Sequence, residues 1–111
     1  MQIEESKHGA VAVIKPVGSL IQPDVEALRA RMLEARTQRL GRVVLDAAAI
    51  TYADSRGLEV LVDVANEFAR ASQALKICGA NDVLREVFDL TGIDSAFEHF
   101  EDATAAVRSF L

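Results

Sequence analysis

Short runs of β-branched and aliphatic residues alternate along this chain with longer segments whose apolar positions recur every three or four residues. Val11-Ala12-Val13-Ile14, Arg42-Val43-Val44-Leu45-Asp46 and Leu75-Lys76-Ile77-Cys78 are runs of strand length, bounded by His8-Gly9, Gly41 and Gly79. Their shortness and β-branching favour buried strands over helices. Pro16 and Gly18 limit the first run, so its strand is expected to end near Pro16. Ile3 opens an edge strand in the polar N-terminal segment, and the alternation Phe97-Glu98-His99-Phe100 predicts a last short strand.

The intervening segments read as helices. Gln22-Pro23-Asp24 opens the first, where proline's missing N–H costs nothing, and Asp24 and Glu26 meet the positive helix end. Val25, Leu28, Met32 and Ala35 form its inward face, and Gly41 ends it. Ala47 to Asp54 reads as a loop leading into a second helix, about Arg56 to Ala71. The inward stripe of that helix is expected to be Leu58, Leu61, Val62, Ala65, Phe68 and Ala69. Asn81-Asp82 caps a third helix with Val83, Leu84, Val87, Phe88 and Leu90 on its apolar face. Thr91-Gly92-Ile93 stops it. Asp102 to Phe110 reads as a final helix with Ala103, Val107 and Phe110 inward.

Strands alternating with helices imply an α/β fold with right-handed crossovers. The expectation is a mostly parallel central sheet of about four to five strands with about four helices. The 111 residues contain no long linker, repeat or low-complexity tract, so residues 1–111 read as one domain. Six residues are aromatic and none is Trp, so the core must rest on Val, Leu, Ile and Ala.

Charge narrows the function classes. The net charge is −5, which argues against nucleic acid and against an anionic membrane surface. Arg29, Arg31, Arg36, Arg39 and Arg42 cluster in sequence, but read as a solvated helix face. No apolar stretch approaches the ~18–20 residues of a membrane span. With no signal-peptide pattern, the chain is expected to be soluble and cytoplasmic, a monomer or weak dimer. The single cysteine, Cys78, lies in an apolar run and reads as a buried strand thiol.

The most informative stretch is Ile50 to Leu58, between a strand and a strongly patterned helix. In parallel sheets, ligands and reactive groups gather at such strand-to-helix loops. Ser55 would stand at the first helical turn, where unpaired N–H groups and the helix dipole favour a phosphate. Gly57 lets the backbone come close to a bulky group. Asp54 would repel the phosphate, and a partner surface that is acidic or apolar would reject it. Asp-Ser before a helix is also a common N-cap, and capping alone explains both residues. Val60 and Val64 lie one turn apart outside the expected inward stripe. They read as a small apolar patch beside Ser55 for a partner, unless neighbouring loops cover them.

Asp54-Ser55-Arg56-Gly57-Leu58 resembles the Asp-Ser-Ser/Thr-Gly-Leu signature of STAS-domain anti-sigma factor antagonists. Gly18-Ser19-Leu20, Val43-Val44-Leu45-Asp46 and the set Leu84, Phe88, Gly92 and Ile93 match further family features across nearly the whole chain. The resemblance implies that Ser55 is the regulatory phosphoserine. The expected partner-binding surface is Asp54, Ser55, Arg56, Gly57 and Leu58, with Val60 and Val64 added by their helical spacing. It implies an unphosphorylated form that binds an anti-sigma factor, often also the serine kinase, and so frees a sigma factor. Phosphorylation blocks binding, and a metal-dependent serine phosphatase restores it. Two residues depart from the pattern: Arg56 replaces a second hydroxyl, and Ile21 stands where Asp is common.

An enzyme is not expected. His8 and His99 are the two histidines and neither sits in a catalytic motif. No nucleophile elbow, phosphate-cradling glycine loop or zinc cluster appears. No cofactor or metal is therefore expected. The alternative is a constitutive STAS adaptor, a subunit of a lipid-transport ATPase or a stress-signalling scaffold, with no phosphate cycle. A nucleotide-binding module has little support.

Overall fold

The computed structural model describes every residue from Met1 to Leu111. Two strands, β1 (Gln2–His8) and β2 (Val11–Leu20), form an antiparallel hairpin around Gly9, whose φ of +65° suits the tight reversal. β2 then joins β3 (Val43–Asp46) in parallel, followed outward by β5 (Leu75–Cys78) and β6 (Phe97–Phe100). The order is β1-β2-β3-β5-β6, and a short β4 (Ile50–Ala53) pairs with the far end of β2. The four helices are α1 (Val25–Gln38), α2 (Ser55–Arg70), α3 (Asp82–Thr91) and α4 (Ala103–Arg108). The α/β class, the mostly parallel sheet and the four helices are as expected.

Side-chain alternation along the strands divides the core in two. Ile14, Leu45, Leu75 and Ile77 belong to the main cluster, with α1, α2 and α3 supplying Leu28, Met32, Val60, Leu61, Phe68, Leu84 and Phe88. Val11, Val13, Val44 and Cys78 lie in a smaller cluster with Ala106 of α4. That alternation is the period-two signature of a pleated strand. Burial of Cys78, with Asp46 nearby, pushes its thiol up to about 12.

Four expectations need correction. β2 runs through Pro16 to Leu20, because its pairing with β3 ends at Ile14 and the missing N–H interrupts no bond on that side. Residues 47–54 are not wholly loop: Ile50–Ala53 is a strand, held by the distant Gly18 and Leu20. α2 buries Gly57, Val60, Leu61, Val64, Ala65 and Phe68, while Ala69 is exposed. This stripe is wide because α2 packs on both the sheet and α1. On α3 only Leu84 and Phe88 are buried; Val83 and Leu90 are 62% and 77% exposed. No helix is long and apolar enough to cross a membrane.

Candidate functional site

The residues from Tyr52 to Glu59 turn the chain from β4 into α2. Asp54 is the N-cap, in extended backbone, and its Oδ1 accepts the Gly57 N–H at 2.7 Å. Its Oδ2 accepts the Gln22 N–H at 3.4 Å, tying the turn to the segment before α1. The Asp54 N–H donates to the Leu20 carbonyl at 3.1 Å. One carboxylate thus fixes the helix start and the neighbouring loop, the usual duty of an N-cap.

Gly57 is buried against the end of β2. A Cβ there would stand 2.2 Å from the Leu20 carbonyl oxygen. The glycine therefore serves close packing of α2 on β2. This replaces the expectation that it clears space for a group on Ser55.

Ser55 is the first residue of α2 and is exposed. The side-chain hydrogen bonds of this turn run through Asp54 and Arg56, and none uses the Ser55 hydroxyl. Asp54 does the capping that the sequence left shared between the two residues. Gly57 and Leu58 N–H groups are both taken by Asp54, through its side chain and its carbonyl. The N–H groups of Ser55 and Arg56 have no intrahelical acceptor, as at any helix start. They leave a positive helix end beside the hydroxyl.

Arg56 lies across the surface rather than out in solvent. Its Nε donates to Glu26 Oε1 of α1 at 2.9 Å, its Nη2 donates to the same oxygen, and its Nη1 donates to Glu59 Oε1 at 3.3 Å. The hydrogen bond to Glu26 is the main cause raising the guanidinium pKa above its ordinary value. Leu58 is half-buried and packs on the edge of the main cluster. Tyr52 is 56% exposed and supplies the aromatic surface of the turn, which the sequence reading passed over as loop.

Val60 and Val64 are 0% and 1% exposed and cannot form a surface patch. They belong to α2's packing face, where they position the turn from beneath. Neither histidine approaches Ser55. His8 pairs with Val11, at the opposite end of β2 from Leu20, nine residues or about 30 Å along the strand. His99 lies on β6 beside Asp94, at 2.8 Å, with three strand spacings between β6 and β2. None of the four surface cavities is lined by residues 52–59; the largest, about 410 Å³, lies beside Ala65, Ala69 and Gln73. No group of three or more His, Cys, Asp or Glu side chains is gathered to hold a metal. The arrangement is an open surface that carries the hydroxyls of Tyr52 and Ser55, and Ser55 stands at the helix start.

A family model for the STAS domain matches residues 2–106. A Bordetella bronchiseptica protein provisionally named anti-sigma factor antagonist BtrV is 30% identical over 110 residues, spanning 99% of this chain and 95% of its own. The chain belongs to the STAS-domain anti-sigma factor antagonist family. This STAS domain has the fold of a Thermotoga maritima protein also provisionally named an anti-sigma factor antagonist. The two share a TM-score of 0.86 and 14% identity over 96% of this chain and 92% of the other. The anti-sigma factor antagonist SpoIIAA aligns in its unphosphorylated form, with TM-score 0.78 and 18% identity over 98% of this chain and 96% of its own. The phosphorylated form, from Bacillus, aligns with TM-score 0.71 and 19% identity over 97% and 99%. Proteins of this STAS family are regulatory binding proteins.

Proposed function

We propose that this STAS domain is an anti-sigma factor antagonist whose binding is switched off by phosphate on Ser55. One observation carries the reading: Asp54 alone caps α2, leaving the exposed Ser55 hydroxyl unengaged at a positive helix end. Solved structures of SpoIIAA in unphosphorylated and phosphorylated forms, on the same fold, support a phosphate cycle here as well.

In this reading the unmodified surface of Tyr52, Asp54, Ser55, Arg56 and the half-buried Leu58 docks on an anti-sigma factor that is also a serine kinase, and the sigma factor is released. The kinase transfers the γ-phosphoryl group of ATP to Ser55 Oγ. The new Oγ–P bond replaces the bridging P–O bond of ATP, ADP leaves, and the hydroxyl proton passes to a base on the kinase. The added charge of about −1.5 to −2 must be desolvated for the partner to stay, next to the carboxylates of Asp54 and Glu59. Binding is lost without a change of fold. A serine phosphatase hydrolyses the ester and restores the binding form. The antagonist supplies no catalytic group, and it acts in the cytoplasm.

The test is recovery of partners on wild type, Ser55→Ala and Ser55→Asp, with mass spectrometry of the wild type from cells. Phosphate on Ser55, and a kinase-like partner kept by Ala and lost by Asp, is the expected result. An unmodified Ser55 and the same partner on all three baits would replace the switch with a constitutive adaptor.

A further inference from the structure

We propose that Arg56 is a phosphate ligand held in reserve: its guanidinium, clasped by Glu26 and Glu59, passes to a phosphate carried on Ser55 and releases α1 from the first turn of α2. The inference rests on the reading of Ser55 as the modified residue and adds what the modification does inside the chain.

The geometry supplies the exchange. Arg56 spends Nε and Nη2 on one oxygen of Glu26, which lies thirty positions earlier on α1, and Nη1 on Glu59. Glu59 follows Ser55 by four residues, so the two share a face of α2, one turn apart. A phosphate on Ser55 therefore rises on the side of the helix where Nη1 already lies. Nη1 already extends across to Glu59 on that face, so a rotation of the Arg56 side chain brings the guanidinium to the phosphate.

Charge favours the new partner. The phosphate would stand with Asp54 just before it and Glu59 one turn after it, both carboxylates. Arg56 is the cation of this turn. It now divides between two single-charge carboxylates that are 44% and 67% exposed. Exposed pairs of that kind are held weakly. A phosphate offers more charge and a fork of oxygens that matches the guanidinium in two parallel hydrogen bonds. The sequence signature has a hydroxyl residue where this chain has Arg56, so the exchange is a property of this chain. Its cost falls on the α1 tether. Val25 and Leu28 remain buried, so α1 stays docked while its first turn loses the ionic link.

The experiment uses the full chain with phosphoserine incorporated at position 55 during synthesis. Its 31P signal is titrated in the otherwise unchanged sequence, in Arg56→Ala and in Glu26→Gln. The phosphate pKa is expected to lie about one unit lower with Arg56 than without it, and lower still in Glu26→Gln, where the competitor is gone. The Arg56 Nε–H resonance is expected to shift on phosphorylation of the unchanged sequence. Equal phosphate pKa values in all three proteins, with an unmoved Nε–H signal, would overturn the exchange. Because the phosphate is built in, this result is independent of whether a cellular kinase modifies Ser55.

Discussion

An alanine at position 57 measures how tightly the Ser55 turn is seated on the sheet. Its Cβ would lie 2.2 Å from the Leu20 carbonyl oxygen and 3.0 Å from the Leu20 carbonyl carbon and Cβ. Carbon and oxygen settle at about 3.3 Å or more, so the first turn of α2 must retreat by about 1 Å. Overpacking of this kind costs about 1–3 kcal/mol. The hydrogen bond from Asp54 N–H to the same Leu20 carbonyl stretches with the retreat, and it is worth about 1 kcal/mol. Alanine returns about 1 kcal/mol through its better helix propensity. The balance is a loss of about 2 kcal/mol, which lowers the urea midpoint by roughly 1 M. Gly92→Ala is the comparison: nothing lies within 4 Å, so only the left-handed backbone at φ +78° is strained, at about 1 kcal/mol. Urea unfolding followed by circular dichroism reads both. A Gly57→Ala protein as stable as the parent would refute the argument that the glycine exists to bring α2 onto Leu20.

Three further outcomes follow from the same contacts. Asp54→Ala removes the bond to Gly57 N–H and is expected to cost about 1 kcal/mol in urea unfolding, whereas Asp54→Asn keeps an acceptor and most of that stability. Val64→Lys places an unpaired charge in the core and is expected to prevent folding or cost several kcal/mol, while Val83→Lys changes stability by less than about 0.5 kcal/mol. The pH dependence tests Cys78. Its folded thiol titrates at about 12, against about 8.5 for an unfolded cysteine. Between those values the unfolded chain has released a proton that the folded chain still holds. Stability is therefore intact below about pH 8.5 and falls by up to about 1.4 kcal/mol per pH unit above it. Cys78→Ala removes this part of the slope in urea midpoints measured from pH 8 to 11, and an unchanged slope would contradict the assignment.

The strands and helices were legible where local pattern and tertiary packing agree. Val25, Leu28, Met32 and Ala35 are the apolar face of α1 in both sequence and structure. On α2 they disagreed, because apolar residues occur at 57–58, 60–62, 64–65 and 68–69 and nearly encircle the helix. Periodicity could not choose among these columns; packing on α1 and the sheet did. Glycine also hid the stripe's first member, since Gly57 scores as a breaker rather than as core. β4 was missed because its partner is the distant end of β2, although Ile50, Thr51 and Tyr52 are strand formers. At the site, Asp54 and Ser55 were visible through their motif. The division of labour between them was not, because it depends on which side chain meets the Gly57 N–H. The bridge from Arg56 to Glu26 joins positions thirty apart and carries no local signal.

The most direct test of the central claim is the affinity of the full chain for an anti-sigma factor of the kinase type proposed as its partner, measured by calorimetry with and without phosphate on Ser55. A switch requires phosphorylation to weaken binding by at least about 100-fold, which is about 2.7 kcal/mol. Equal affinity of the two forms for a partner that binds the unmodified chain would contradict it.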